Sequence, residues 1–178
     1  PTGNKVTLSG SSQWSDLDDS DPVADILAGL DACLVRPNVA VFGQETWSVL
    51  RRHPKIVKAV HRNAGDSGVA GRQAVAELFE LEEVLVGVGL YNTAKKGQTP
   101  TLSRIWGKHA ALIYRNRLAD TQGGLTFGYT AEYGTRISGA IEDKDIGFRG
   151  GQRVRVGESV KELIVADRAG YLIQNAVQ

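Results

Sequence analysis

The sequence is poor in the features that indicate covalent chemistry, a membrane or a nucleic-acid ligand. Among 178 residues it has no methionine, three histidines and one cysteine, Cys33. A lone cysteine excludes an internal disulfide and is typical of a reducing compartment. The net charge of +1 argues against a dedicated nucleic-acid binder. No apolar run approaches the roughly 20 residues of a membrane span, and no signal-peptide pattern opens the chain.

What is present is the composition of an ordinary globular protein. Apolar residues make up 42% of the chain and charged residues 23%. The length suits one domain, or one domain with an appendage, and allows a sizeable core. Because the chain starts at Pro1 and has no methionine, we expect it to be part of a longer polypeptide with further residues upstream.

The segment from Trp14 to Trp47 carries the clearest structural signals. Asp21 suits a helix N-cap and Pro22 the first helical position, so a helix is predicted to begin there and to end at Arg36. Aspartates near its start favour the positive end of the helix dipole. Residues 38–43 are predicted to form a short buried strand. The predicted apolar face of the helix consists of Val23, Ile26, Leu27, Leu30, Cys33 and Leu34.

The remaining elements change from helices to strands along the chain. Short helices are predicted at 44–52, from Pro54 to about residue 60, and at 71–81. Strands are predicted at 83–90, 109–115, 126–130, 152–156 and 171–173, with a polar loop at 92–103 and a glycine-rich segment at 134–151. Helices first and strands later predict the α+β class rather than a doubly wound sheet.

One motif resembles a catalytic signature. Residues 65–68 spell GDSG, the string around the nucleophile of chymotrypsin-like proteases. A nucleophilic Ser67 would need a base beside it, itself oriented by an acid, and His53, His61 and His109 are the candidates. The string is short and its residues are common in loops, so a surface loop is the expected reading.

Other candidate sites are incomplete in sequence. Residues 87–89 (GVG) lack the third glycine and the following helix of a dinucleotide-binding turn. The acidic run 16–21 lacks the spacing of an EF-hand and is explained by helix-end electrostatics. The histidines have no metal-ligand companions, and Cys33 suits a helix core. We therefore predict no catalytic, cofactor-binding or metal site. Solvated surface charges are expected at Lys55, Lys58, Arg62, Lys95 and Lys96.

The order of the segments resembles the major capsid (coat) proteins of tailed bacteriophages, which have the Hong Kong 97 shell fold. The resemblance covers nearly the whole chain from Trp14 onward, and its specificity lies in the order of individually loose motifs. The matching segments are WSDLDDSDPVADI, RPNVAVFGQETWSVLRRHPKI, AVAELFELEEVLVGVGLYNTA, IWGKHAALIYR and VKELIVADRAGYLIQNAV.

The resemblance implies a domain organisation. Residues 1–15 would be the remnant of an extended loop and 16–37 the spine helix of a peripheral domain. Residues 38–150 would form the axial domain, and 151–178 would return to the peripheral sheet. The N-terminal arm and most of the extended loop of the family would be absent.

The resemblance also implies a structural function without catalysis or cofactor. Copies of the chain would assemble as pentamers and hexamers into an icosahedral phage or prophage head. Such a head encloses double-stranded DNA without sequence specificity, with a scaffolding protein, a maturation protease and a portal as further partners. Assembly would take place in the host cytoplasm, and the protein would end in the virion capsid.

Within such a shell, loops 63–71 and 92–103 would contact neighbours, and segment 134–151 would supply hinge compliance. Three alternatives stay open. The first is an encapsulin-like bacterial shell protein, which would hold cargo enzyme instead of DNA. The others are a small serine hydrolase using Ser67 and a simple binding module.

Overall fold

A computed structural model describes residues 4–61, 68–120 and 122–178. Its fold mixes helices and strands, which confirms the predicted α+β class. The helices are α1 (Pro22–Asp31), α2 (Gln44–Leu50), α3 (Pro54–Val60) and α4 (Arg72–Leu78). The strands are β1 (Lys5–Thr7), β2 (Val39–Gly43), β3 (Glu83–Gly87), β4 (Leu90–Asn92), β5 (Leu102–Arg104), β6 (Ala110–Ile113), β7 (Gly128–Glu132), β8 (Ile137–Asp143), β9 (Gly151–Gly157), β10 (Val160–Ile164) and β11 (Gly170–Gln174).

The chain divides into two compact units. The first, which we call the body, comprises residues 1–127 and 166–178, and the second, which we call the ribbon, comprises residues 128–165. This division differs from the boundaries expected at residues 37 and 150. The assignment of parts of the chain to an axial and a peripheral domain stays a prediction.

The body is built on a five-stranded sheet in the order β1-β11-β6-β2-β3. Strand β2 pairs in parallel with β3 and antiparallel with β6. All five residues of β2 are buried, which fits its apolar sequence VAVFG and a position with strands on both sides. The predicted buried strand at 38–43 is confirmed.

Aromatic side chains join the sheet to the segments around it. Phe42 of β2 lies between two indoles, with ring-centroid distances of 6.5 Å to Trp14 and 5.9 Å to Trp47. The indole Nε1 of Trp14 donates a hydrogen bond to Asp25 Oδ2 at 2.8 Å, so this buried ring has its polar atom satisfied. The core also contains Ile26 and Leu30 of α1.

Helix α1 begins as predicted but ends earlier. The side chain of Asp21 accepts a hydrogen bond from the Ala24 N–H at 3.0 Å and Pro22 is the first residue of the helix, as predicted. The helix ends at Asp31 rather than at Arg36.

The early end has a tertiary cause. The chain turns after the helix, and the backbone N–H of Leu34 donates to the carbonyl of Arg168 at 2.9 Å. The side chain of Leu34 is 71% exposed, so its predicted place on the apolar face is wrong. Cys33 is half-buried and its thiol donates to the Gly29 carbonyl at 3.3 Å.

Two segments in which no strand was predicted contain strands. Strands β4 and β5 form an antiparallel pair at the two ends of the predicted polar loop 92–103. The glycine-rich segment 134–151 contains the whole of β8. Glycine and charge content pointed to loops in both places, but backbone pairing between strands sets the structure there.

Two glycines at equivalent positions provide a stability prediction. Gly43 and Gly71 are the N-cap residues of α2 and α4, both with extended backbone and no side-chain cap. A Cβ on Gly43 would lie 2.0 Å from the carbonyl oxygen of Gly107, whereas a Cβ on Gly71 would meet nothing within 4 Å. We expect Gly43→Ala to lower the free energy of unfolding by about 1–3 kcal/mol through overpacking.

The control is Gly71→Ala, which makes the same change in helix capping without the overpacking and should lose only the N-cap preference for glycine over alanine, up to about 1 kcal/mol. Urea denaturation of both variants checks the difference. Equal losses of stability in the two variants would contradict the close approach of Gly43 to the carbonyl oxygen of Gly107.

Candidate subunit-contact surface

His53, a candidate base for Ser67, has a structural role. Its ring is fully buried, and Nδ1 accepts a hydrogen bond from the backbone N–H of Lys55 at 3.3 Å, which caps α3. Nε2 lies 3.1 Å from Ser20 Oγ, whose hydroxyl donates to the Asp16 carbonyl. The neutral tautomer with hydrogen on Nε2 satisfies all these groups. Desolvation by burial is the main reason why the pKa of His53 lies below its ordinary value.

The other two candidate bases, His109 and His61, make hydrogen bonds to the backbone of neighbouring segments. Nδ1 of His109 accepts a hydrogen bond from the backbone N–H of Asn175 at 3.1 Å. The backbone N–H of His61 bonds the Val57 carbonyl at 2.7 Å. Ser67 and the GDSG string up to it lie outside the described residues, so the hydrolase hypothesis rests on sequence alone.

The acidic run 16–21 forms a turn and a helix cap. Asp16 Oδ1 accepts hydrogen bonds from the backbone N–H groups of Asp18 and Asp19, both at 3.2 Å. Asp21 caps α1 and lies 3.4 Å from the Lys55 ammonium. The hydrogen bond from Ala24 is the largest reason why the pKa of Asp21 lies below its ordinary value. These contacts support the interpretation that the acidic run 16–21 stabilises the start of helix α1.

The glycines of the GVG string are packing positions. A Cβ on Gly87 would lie 2.0 Å from Trp106 Cδ1, and one on Gly89 would lie 3.0 Å from Ile105 Cδ1. The missing side chains of Gly87 and Gly89 therefore make room for Trp106 and Ile105, and not for a phosphate group. Among the described residues there is no group of three or more potential metal ligands.

The predicted surface cations are partly described. Lys95 and Lys96 are exposed on the loop between β4 and β5. Lys55 is half-buried and donates to the Ser20 carbonyl at 2.7 Å, while Arg62 lies outside the described residues. None of the described helices has the length and apolar composition needed to cross a membrane.

The ribbon is the most unusual surface of the protein. Strands β7 and β10 pair antiparallel over five rows, and β8 and β9 over seven. None of residues 128–165 is buried. Exposed large apolar side chains in this unit are Tyr129, Tyr133, Ile137, Ile141, Ile146, Phe148, Val154, Val156, Val160, Ile164 and Val165. So many exposed apolar side chains in one unit indicate a surface for protein contact.

The paired strands β8 and β9 have two chemically different faces, because side chains alternate along each strand and cross-strand partners share a face. One face carries Val154 opposite Ala140 and Val156 opposite Ser138. We call this the apolar face, and its only charged side chain in the paired rows is that of Glu142.

The second face, which we call the charged face, carries Ile137, Ile141, Asp143, Arg153 and Arg155. The guanidinium of Arg153 forms an ion pair with Asp143 at 2.5 Å. Arg155 has no ion pair among the described residues. In the paired rows the apolar face thus carries one charged side chain and the charged face three, so the apolar face is the less expensive one to dehydrate.

Sequence reasoning missed this surface. The alternating valines of β9 were recognised as a strand, and Ile137 and Ile141, four residues apart, lie on one face of β8, the charged face. The glycines of segment 134–151 concealed that signal, and the exposure of both faces depends on tertiary structure.

The fold defines a class before any comparison. In the body, His53 and Asp21 cap helices and Asp16 closes a turn, and the ribbon presents unburied apolar side chains. Exposed apolar side chains of this kind indicate a surface that contacts other proteins. The sequence model of the family described as "Phage major capsid protein E" matches residues 1–143. The chain belongs to this family of phage major capsid proteins.

Individual relatives agree. The chain is 54% identical over 175 residues to the major capsid protein of Pseudomonas phage JBD67, covering 98% of this chain and 56% of that protein. It is 28% identical over 181 residues to the major capsid protein of Burkholderia phage BcepMu, covering 96% of this chain and 55% of the relative. The chain thus spans about half the length of these curated relatives.

A solved structure supports the fold. A phage-related protein from Bordetella bronchiseptica superposes with a TM-score of 0.79 at 24% sequence identity, covering 99% of this chain and 57% of the other. The resemblance to phage coat proteins inferred from the sequence is confirmed. The encapsulin-like and hydrolase alternatives gain no support from these relatives.

Proposed function

We propose that the protein is a non-enzymatic shell subunit that self-assembles into an icosahedral phage or prophage head around double-stranded DNA. The observation that carries the proposal is membership of a family named for the major capsid protein. It is supported by the polar residues of the body, whose described contacts are caps, turns and ion pairs rather than a set of groups converging on a cleft.

The proposal includes a Hong Kong 97-type arrangement with pentamers and hexamers in one closed shell. Head-to-tail contacts around a rotation axis close into rings, and the same subunit would serve both ring sizes. The exposed loop between β4 and β5 is a candidate neighbour contact. Most of loop 63–71, the other candidate, lies outside the described residues.

Adapting one subunit to two ring sizes needs compliance. Segment 134–151 is the proposed place for it, because Gly134, Gly147 and Gly150 have positive φ angles of 75°, 66° and 72°. Such backbone conformations favour glycine and occur at turns rather than within regular strands. The compliance would therefore sit at the ends of β8 and β9.

The partners and location follow from the same proposal. A scaffolding protein, a maturation protease and a portal would act during assembly in the host cytoplasm, and the product would be the virion capsid. DNA would be enclosed without sequence specificity, since the near balance of 21 basic and 20 acidic residues offers little excess positive charge for direct binding.

Assembly of the full-length protein tests the proposal. We expect the protein, expressed at its natural length together with its neighbouring assembly genes, to sediment as large closed particles seen by negative-stain electron microscopy. Many weak contacts per subunit favour closure once the concentration passes a threshold. Only small soluble oligomers at every concentration would contradict the proposal.

A further inference from the structure

We infer that the apolar face of the ribbon binds a second copy of this chain, while the charged face stays in water. The inference rests on the proposed function, because a shell supplies neighbouring copies at fixed positions. It goes further in naming the surface and the side of it that is buried.

The ribbon has the composition of strands that become covered. A two-stranded ribbon is marginally stable when both of its faces are in water. Yet β8 and β9 carry the β-branched residues Ile137, Ile141, Val154 and Val156, with exposed fractions of 65%, 57%, 67% and 77%. β-branched residues are enriched where a strand packs against another surface. Of these residues, Val154 and Val156 lie on the apolar face, where a covering partner would remove them from water.

The chemistry of the two faces decides which one is covered. Packing protein against the apolar face removes Val154 and Val156 from water and dehydrates one charged side chain, that of Glu142, whereas the charged face carries three. Packing against the charged face would remove the guanidinium of Arg155 from water without an ion pair among the described residues. Dehydrating an unpaired charge is far more costly than dehydrating a methyl group.

The charge of the ribbon favours protein over DNA as the occupant. Residues 128–165 contain six basic and six acidic side chains, so the unit has no net charge. A DNA-binding surface needs excess positive charge to release counterions from phosphates. A neutral surface with mixed charges instead tolerates a nearly neutral partner, and this chain, at net charge +1, is one.

The apolar face is small, so the contact should matter only where many copies of the chain repeat it. Seven paired rows at about 3.4 Å each, with a width of about 10 Å, give a face of about 240 Å². A standard interface buries about 800 Å² per partner. The contact is therefore too small to hold two isolated copies firmly, and its effect should appear in assembly, where it is repeated across the shell.

The test compares paired substitutions on the two faces in the full-length protein. Val154→Lys with Val156→Lys should reduce the yield of sedimenting shells at least tenfold. Ile137→Lys with Ile141→Lys, which makes the same chemical change on the charged face, should leave the yield within about threefold. Circular dichroism and the melting temperature of unassembled subunits report whether each variant folds.

Cross-linking provides an independent readout. In a Cys33→Ala background, a benzophenone–maleimide label on Val156→Cys should give covalent dimers during assembly, and the same label on Ile141→Cys should give few. Equal shell yields for the two lysine pairs, or equal cross-linking from both faces, would overturn the inference.

The ribbon contact and the capsid proposal can be rejected separately. Wild-type shells together with normal shells from the Val154 and Val156 lysine pair would reject the ribbon contact and leave the capsid proposal standing. If wild type forms no shells, the capsid proposal fails. Cross-linking then decides the ribbon contact alone: dimers through Val156 support it, and their absence rejects it.

Discussion

Phe42→Ala should destabilise the body by about 3–5 kcal/mol, the usual cost of truncating a fully buried aromatic side chain. Phe42 lies in the buried strand β2 between the rings of Trp14 and Trp47. Removing its ring leaves a cavity that these two large side chains cannot both fill. Because total domain stabilities are about 5–15 kcal/mol, this loss is a large fraction of the total and should lower the denaturation midpoint strongly.

The matched control is Phe148→Ala in the turn between β8 and β9. Phe148 is fully exposed, so its truncation should change the free energy of unfolding by less than about 0.5 kcal/mol. Chemical denaturation of the two variants, followed by tryptophan fluorescence, measures the difference directly. A small effect of Phe42→Ala would contradict the description of the core.

The stability of the body should fall as the pH drops below about 6.5, because of His53. Burial holds the pKa of His53 below its ordinary value of 6.5, so the unfolded chain takes up the proton first. The stabilisation is fully present above pH 6.5 and is lost progressively as the pH falls toward the folded-state pKa. Between the two pKa values the unfolded chain binds more protons than the folded one, so the free energy of unfolding rises with pH.

Protonation would also place a hydrogen on Nδ1, the atom that now accepts a hydrogen bond from the backbone N–H of Lys55. That hydrogen bond would then be lost. Urea titrations between pH 5.5 and 7.5 check the prediction, and His53→Gln should remove this part of the pH dependence. Burial raises the pKa of Asp25 above its ordinary value. A carboxyl group with a raised pKa makes the folded chain more stable as the pH falls, which is opposite to the effect of His53 and applies at lower pH. An unchanged slope in His53→Gln would contradict the assignment.

Local signals made the first part of the fold predictable. The start of α1 follows from Asp21 and Pro22, and the burial of β2 follows from its continuous apolar run. These features depend on residues adjacent in sequence. The end of α1 does not, because it is set by the hydrogen bond between Leu34 and Arg168, far apart in the chain.

The contact surface was less predictable than the fold. Sequence patterns indicate where strands form, but the burial of a strand depends on what packs against it. The valines of β9 have the spacing of a half-buried strand, and in the structure both faces of that strand are exposed. The absence of a catalytic site remains a prediction, since Ser67 lies outside the described residues.

Cryo-electron microscopy of particles formed by the full-length protein tests the central claim most directly. The account predicts closed icosahedral shells in which the body described here fits repeated density in five-fold and six-fold rings. Discrete oligomers of a few subunits, or shells whose repeating density does not accommodate the five-stranded body, would contradict it.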